Sequence, residues 1–347
     1  MLLEGLHLPL LTPFYPDGRL NLRKIEHNVD RYSRTPVAGL VALAEAGEPA
    51  MLSDSEAREL LQATMGAAAE TKVMVAGVSR GSVFVTLELA EFAAGLGYDA
   101  VLVKRPEFLG GGQVRETVTY FQAVADRSPA PVVLYSTTGG VIPVEVIAEL
   151  AGHPQVLGIL DEDAAASRLE QVRAATASVK REVTVTTVFA AATGRMLAVR
   201  ETEGAATFVS AESLGGGAAV ATASPKPAVK TRTKTVGFQV VTAGSAGMLA
   251  GLRTGAVGAM PGFAACAPQA CYEVFAAWKD DDQALSDEKQ ARLAPAIELV
   301  EEQLGVPGLR YGCDLNGYFG GRPRLPLLPL SGEAREAVER VMKGIRS

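Results

Sequence analysis

The chain has 347 residues, 48% of them hydrophobic and 21% charged, which is enough apolar matter for a buried core and too little charge for a solvated, disordered chain. Thirty-three Lys and Arg against 39 Asp and Glu leave a net charge of −6, which removes the basic footprint expected of a general nucleic-acid binder. The apolar start, residues 1–14, carries Glu4 and no basic stretch. No uncharged apolar run reaches the roughly 18 residues that a membrane span needs, and three cysteines without a CxxC give neither a disulfide framework nor a zinc site. These features predict a cytoplasmic protein that handles a small molecule, with no nucleic-acid or membrane partner.

Eight short apolar runs alternate with helix-period segments, the pattern of repeated βα units around a parallel sheet. The runs are Leu6 to Leu11, Gly39 to Leu43, Val73 to Val78, Ala100 to Val103, Pro131 to Leu134, Val156 to Leu160, Phe238 to Thr242 and Ala256 to Met260. Helical stretches between them include Ser55 to Ala69, Phe84 to Leu96, Val114 to Ala125, Pro143 to Ala151 and Ser167 to Ser178. Ser53 and Glu56 have the S-x-x-E spacing of a capping box, which starts a helix after the second run. Runs rich in Val, Leu and Ala suit strands covered on both faces, and eight units without a GxGxxG favour a (β/α)8 TIM barrel over an open dinucleotide-binding sheet.

Between the sixth and seventh units the rhythm breaks. Over about 182–237 the pattern becomes Val-Thr alternation, a Thr193-Gly194 turn, a second possible strand Met196 to Arg200, then Thr207 to Ser210, glycines 215–217 and a linker. It reads as an inserted segment of one or two β-hairpins. The alternative makes Thr184 to Phe189 the seventh barrel strand. The chain then divides into a barrel over 1–265, interrupted by this insertion, and a C-terminal helical region over 266–347. Pro268 to Trp278, Lys289 to Gln303 and Ala334 to Ile345 read as the helices of that region.

Six groups of residues, in order, resemble the dihydrodipicolinate synthase/N-acetylneuraminate lyase family. They are Leu11-Thr12-Pro13-Phe14 with Asp17-Gly18, Gly39 to Glu48 with Leu52-Ser53, Ala76-Gly77-Val78, Pro131 to Tyr135, His153-Pro154 with Val156 to Asp161, and Arg322-Pro323-Arg324-Leu325-Pro326. The resemblance implies a TIM barrel with its site at the carboxyl ends of the strands, in a homo-oligomer (dimer or tetramer). It further implies class I aldolase chemistry, in which a lysine ending strand six forms an imine with pyruvate or a related 2-oxo acid and a tyrosine ending strand five relays protons. No cofactor and no metal are expected.

Carried over residue by residue, the family's Gly-Ile-Lys-Asp is Gly158-Ile159-Leu160-Asp161, which puts Leu160 in the imine position. The carboxylate-holding Gly-Thr-Thr-Gly-Glu is Ala44-Glu45-Ala46-Gly47-Glu48, and the segment after Tyr135, Ser136 to Gly140, lacks the family's arginine. Tyr135 alone stays in place as acid/base. Counting back from Pro106, Arg105 takes the inward slot at the end of the fourth strand, to pair with Glu45 or bind an anion. Lys104 then reads as a lysine facing solvent or a subunit interface, the alternative being that it points inward and replaces the missing amine. Asp161, Glu162 and Asp163 put carboxylates at the rim, and Gly244 sits just past the seventh strand, where backbone can approach a ligand.

The expected site therefore comprises Tyr135 and Lys104 as catalytic groups, with Glu45, Ala46, Arg105, Leu160, Asp161 and Gly244 around the substrate. Two readings follow. One is a divergent aldolase- or lyase-like enzyme for a small 2-oxo or hydroxy acid that does not use a strand-six imine. The other is an inactive relative kept for ligand binding or assembly.

Overall fold

The computed structural model describes residues 1–345 except 111, 164, 189 and 204–228. Its strands are β1 (Gly5–Pro9), β2 (Gly39–Ala42), β3 (Val73–Gly77), β4 (Ala100–Lys104), β5 (Val132–Ser136), β6 (Val156–Asp161), β7 (Arg181–Thr186), β8 (Thr231–Val236), β9 (Gln239–Ala243) and β10 (Gly258–Met260). All but β7 and β8 close a barrel in the order β1-β10-β9-β6-β5-β4-β3-β2, every pair parallel. This is the expected TIM barrel with C-terminal helices. Helices fill the connections because each strand is apolar on both faces. Val101 and Val103 of β4 belong to the layer under the helices, whereas Ala100 and Leu102 belong to the barrel interior with Val41, Val75, Val133 and Val241.

Close strand packing sets one glycine. A Cβ at Gly158 would sit 2.0 Å from the carbonyl oxygen of Gln239 on the neighbouring strand, so only glycine fits where β6 meets β9. That direct β6–β9 pairing also settles the insertion. Gln239 to Ala243, not Thr184 and the residues after it, supplies the seventh barrel strand.

The inserted strands β7 and β8 pair antiparallel, from Arg181 against Val236 to Thr186 against Thr231. Between them Met196 to Arg200 is not a strand but part of the helix Gly194–Glu203. The Thr193 hydroxyl accepts from the Met196 amide at 3.1 Å, an N-cap bond that starts a helix where alternation suggested extension. The expected strand Thr207 to Ser210 lies outside the described residues. The insertion contacts the barrel where strands begin. Arg181 reaches the carbonyls of Ala151 and His153 ahead of β6, Gly194 donates to Asp99 ahead of β4, and Lys234 pairs with Glu4 ahead of β1. Val183 and Val185 bury against Leu2. The insertion thus covers the amino-terminal end of the barrel, opposite the mouth where TIM-barrel sites form.

The helix Asp54–Ala67 starts on the expected capping box. Glu56 N–H donates to the Ser53 hydroxyl at 3.2 Å, and Ser53 N–H donates to the Glu56 carboxylate at 3.0 Å. At the C-terminal side, Pro268–Lys279, Gln283–Ile297 and Gly332–Met342 are helical, and so is Gly305–Leu315, which the sequence reading left unassigned. The last of these sends Arg310, 1% exposed, into the barrel rim. There the guanidinium donates to the carbonyls of Gly320 at 2.6 Å and Thr12 at 2.8 Å, and pairs with Glu48. Glu48 closes the turn Glu45–Gly47 with φ of +55°. The C-terminal helices therefore brace the loop after β2 that carries Glu45. Among the described residues no helix is long and apolar enough to cross a membrane.

Candidate active site

The barrel mouth is built from one layer of side chains. In the strand register Lys104 lies beside Tyr135, Tyr135 beside Leu160, and Leu160 beside Val241. Ala100 and Leu102 both face the interior, so strict alternation gives the next inward slot on β4 to Lys104. This corrects the expectation that Arg105 takes it. The count from Pro106 is off by one because β4 ends at Lys104 and the chain leaves strand geometry before the proline. Arg105 continues the outward parity of Val101 and Val103, and two of its buried nitrogens, Nε and Nη1, lack a hydrogen-bond partner.

Lys104, 21% exposed in its side chain, pairs with Glu45 at 2.9 Å and with Glu107 at 3.4 Å. Glu45 therefore finds its cation, but on Lys104 rather than Arg105. Burial pulls the Lys104 pKa down, and the two carboxylates outweigh it, holding the ammonium above the ordinary lysine range. The amine at rest is charged.

Tyr135 is buried, and its hydroxyl donates to Glu162 Oε1 at 2.6 Å. Glu162 Oε2 in turn accepts from the Thr138 amide at 2.8 Å. Burial, and then the Glu162 charge, push the phenol well above its usual pKa, so Tyr135 rests protonated rather than as a phenolate. Glu162, read from sequence only as a rim carboxylate, is thus the group that orients the tyrosine.

The other expected residues spread around this layer. Leu160, 3% exposed, lines an apolar cavity of about 30 Å³ inside the barrel with Leu102, Val133, Val241 and Met260. Asp161 faces away from the axis, where its carboxylate accepts from Arg168 at 2.8 Å, and burial raises its pKa against the opposing pull of that arginine. Its neighbour Asp163 lies 3.9 Å from the same guanidinium. Ala46 belongs to the turn beside Glu45 and packs against the outer core. Gly244 has φ of +85° and open space around its Cα, so the backbone conformation rather than crowding calls for glycine. His7 also lines the 30 Å³ cavity, with its pKa lowered by burial. Among the described residues no three His, Cys, Asp or Glu side chains gather in a way that could hold a metal ion.

A second cavity, of about 20 Å³, opens at the mouth between Glu45, Ser79, Lys104 and Tyr135, and Arg80 lines it too. Arg80, in the loop after β3, is a site residue that sequence reading missed. Its only signal was a lone basic residue following a barrel strand's carboxyl end.

The model of the dihydrodipicolinate synthetase family matches residues 2–211. The chain belongs to that family. It is 36% identical over 162 residues to a 4-hydroxy-tetrahydrodipicolinate synthase of Xanthomonas axonopodis pv. citri (strain 306), an alignment covering 46% of this chain and 53% of the relative. The chain thus spans about half the length of this curated relative. Over nearly its full length, 98% of this chain and 94% of the relative, it is 26% identical to an L-threo-3-deoxy-hexylosonate aldolase of Aspergillus niger. Among solved structures, the 4-hydroxy-tetrahydrodipicolinate synthase of Methylacidiphilum fumariolicum SolV matches with a TM-score of 0.74 at 17% identity, over 98% of this chain and 95% of that one, a likeness of fold. The family is aldolase- and lyase-like and works on small oxo acids.

Proposed function

We propose that this family member makes or breaks a carbon–carbon bond in a small 2-oxo or hydroxy acid without an imine on the sixth barrel strand. On this reading it is a cytoplasmic homo-oligomer that needs no cofactor. The observation that carries the proposal is the layer Lys104–Tyr135–Leu160: the slot on β6 holds a hydrocarbon, while an amine stands two strands away beside the tyrosine. Because Glu45 and Glu107 keep that amine charged, Lys104 serves as a fixed ammonium facing the oxo oxygen. It stabilises the negative charge that grows there as the carbon–carbon bond breaks. Tyr135, oriented by Glu162, hands a proton to the carbon left behind, and the proton that the substrate's hydroxyl gives up as it becomes the departing carbonyl returns to Tyr135 through Glu162. The cavity of about 20 Å³ has room for about one water, so the mouth must widen around Lys104 and Tyr135 for substrate to enter.

Borohydride reduction in the presence of pyruvate, read by intact mass, separates the candidate chemistries. The proposal expects no adduct on the natural chain. It also expects turnover of at least one member of a panel of 2-oxo and hydroxy acids, which Lys104→Met abolishes. An adduct on Lys104 would replace the ammonium role with covalent catalysis. No turnover across the panel would overturn the enzymatic reading and leave a ligand-binding or assembly protein. Exposed Phe84 and Phe108 support a subunit contact, which sedimentation velocity tests through the mass in solution.

A further inference from the structure

We infer that Arg80 is the residue that binds the substrate's carboxylate, an inference that rests on the oxo-acid reading above and names the group that selects the acid. Three observations carry it. The loop Glu45–Gly47 presents a carboxylate to the mouth and has no hydroxyl side chain to hold an anion. The segment Ser136 to Gly140 after β5 carries no basic residue either. Among the described residues Arg80 alone joins Lys104 as a cation lining the mouth cavity, and its Nη2 is buried with no hydrogen-bond partner among them.

The rest of the Arg80 side chain is already fixed. Its Nε donates to Asp54 at 2.8 Å and its Nη1 to the Ser79 carbonyl at 2.9 Å, so the guanidinium is held from one edge while Nη2 keeps two N–H groups unspent. A buried donor without an acceptor carries a desolvation penalty that a bound carboxylate would relieve, and a charge-assisted bond to it is stronger than a neutral one. Asp54 is the first residue of the helix after β2, and its side chain is 59% exposed, so water screens its pull on the guanidinium and leaves the arginine free to act as a cation. With the carboxylate on Arg80, the 2-oxo oxygen falls to Lys104, and Tyr135 faces the carbon skeleton.

Calorimetric titration tests this with pyruvate, 2-oxobutyrate and methyl pyruvate, which keeps the oxo group and lacks the charge. Arg80→Met should weaken pyruvate about tenfold or more and leave methyl pyruvate unchanged, while Arg80→Lys retains part of the pyruvate affinity. Asp54→Asn separates recognition from bracing: it removes Arg80's ion-pair partner but not its charge, and should leave pyruvate binding intact or tighter. Equal losses in Arg80→Met and Asp54→Asn would make Arg80 a brace for the helix and overturn the inference. So would unchanged pyruvate binding in Arg80→Met, which leaves the oxo-acid reading standing. A natural chain that binds neither pyruvate nor 2-oxobutyrate overturns both.

Discussion

Replacing Arg310 with Met tests whether the C-terminal helices hold the mouth together. The substitution keeps much of the buried volume. It strips from Glu48, a carboxylate 5% exposed, its arginine donor, and leaves the carbonyls of Thr12 and Gly320 without theirs. Removing one member of a buried ion pair costs about 3–5 kcal/mol, because the surviving charge stays desolvated. At about 2.1 cal/mol/K of unfolding entropy per residue, 347 residues give about 0.7 kcal/mol/K, so the melting temperature should fall by about 4–7 °C. The double variant Arg310→Met/Glu48→Gln removes the orphaned charge as well and should recover at least about 1 kcal/mol of the loss. Thermal unfolding followed by circular dichroism reads both. A fall below about 1 °C, or a double variant that loses the sum of the two single effects, would refute the view that this pair braces the turn carrying Glu45.

Tyr135→Phe should cut turnover by about 10²–10⁴-fold and cost stability only about 0.5–1.5 kcal/mol, since half-buried Glu162 can take water in place of the hydroxyl. Steady-state kinetics beside a urea titration decides it, and an active Phe variant would remove the tyrosine from the chemistry. Leu160→Lys should create a pyruvate adduct trapped by borohydride, because a lysine in that apolar cavity is desolvated toward its neutral, nucleophilic form. Absence of the adduct in a folded variant would mean that the pocket no longer accepts pyruvate at that strand. Glu56 gives a pH signature: Arg324 holds its carboxylate down to about 2 from an ordinary 4.5. The depressed folded value makes its contribution present above about pH 4.5 and lost as pH falls toward 2. The natural chain should therefore exceed Glu56→Gln by about 1 kcal/mol at pH 6, with the gap closing over that acid range in melts at stepped pH.

The barrel was legible in the sequence because burial on two faces leaves a mark that needs no partner to read. Runs such as Val73 to Val78 and Val156 to Leu160 are apolar throughout, and the Ser53–Glu56 cap is a local bond between neighbours. The same locality exposed the hydrocarbon at Leu160 and the tyrosine at Tyr135. What failed depended on geometry across the chain. Lys104 and Arg105 are adjacent cations, and only the position of the last strand residue, fixed by pairing with β5, decides which one faces inward. The helix Gly305–Leu315 contains Pro307 and Gly308, poor helix formers. Glycine is needed at 308 because a Cβ there would meet the Val300 carbonyl at 2.2 Å, and the helix docks through Arg310 on Glu48, contacts no local propensity encodes. Likewise Arg80 carries only a weak mark, a lone basic residue after the end of β3. Barrel closure alone sets it beside Lys104, because strand alternation is a property of a few successive residues whereas a mouth gathers side chains from loops far apart in sequence.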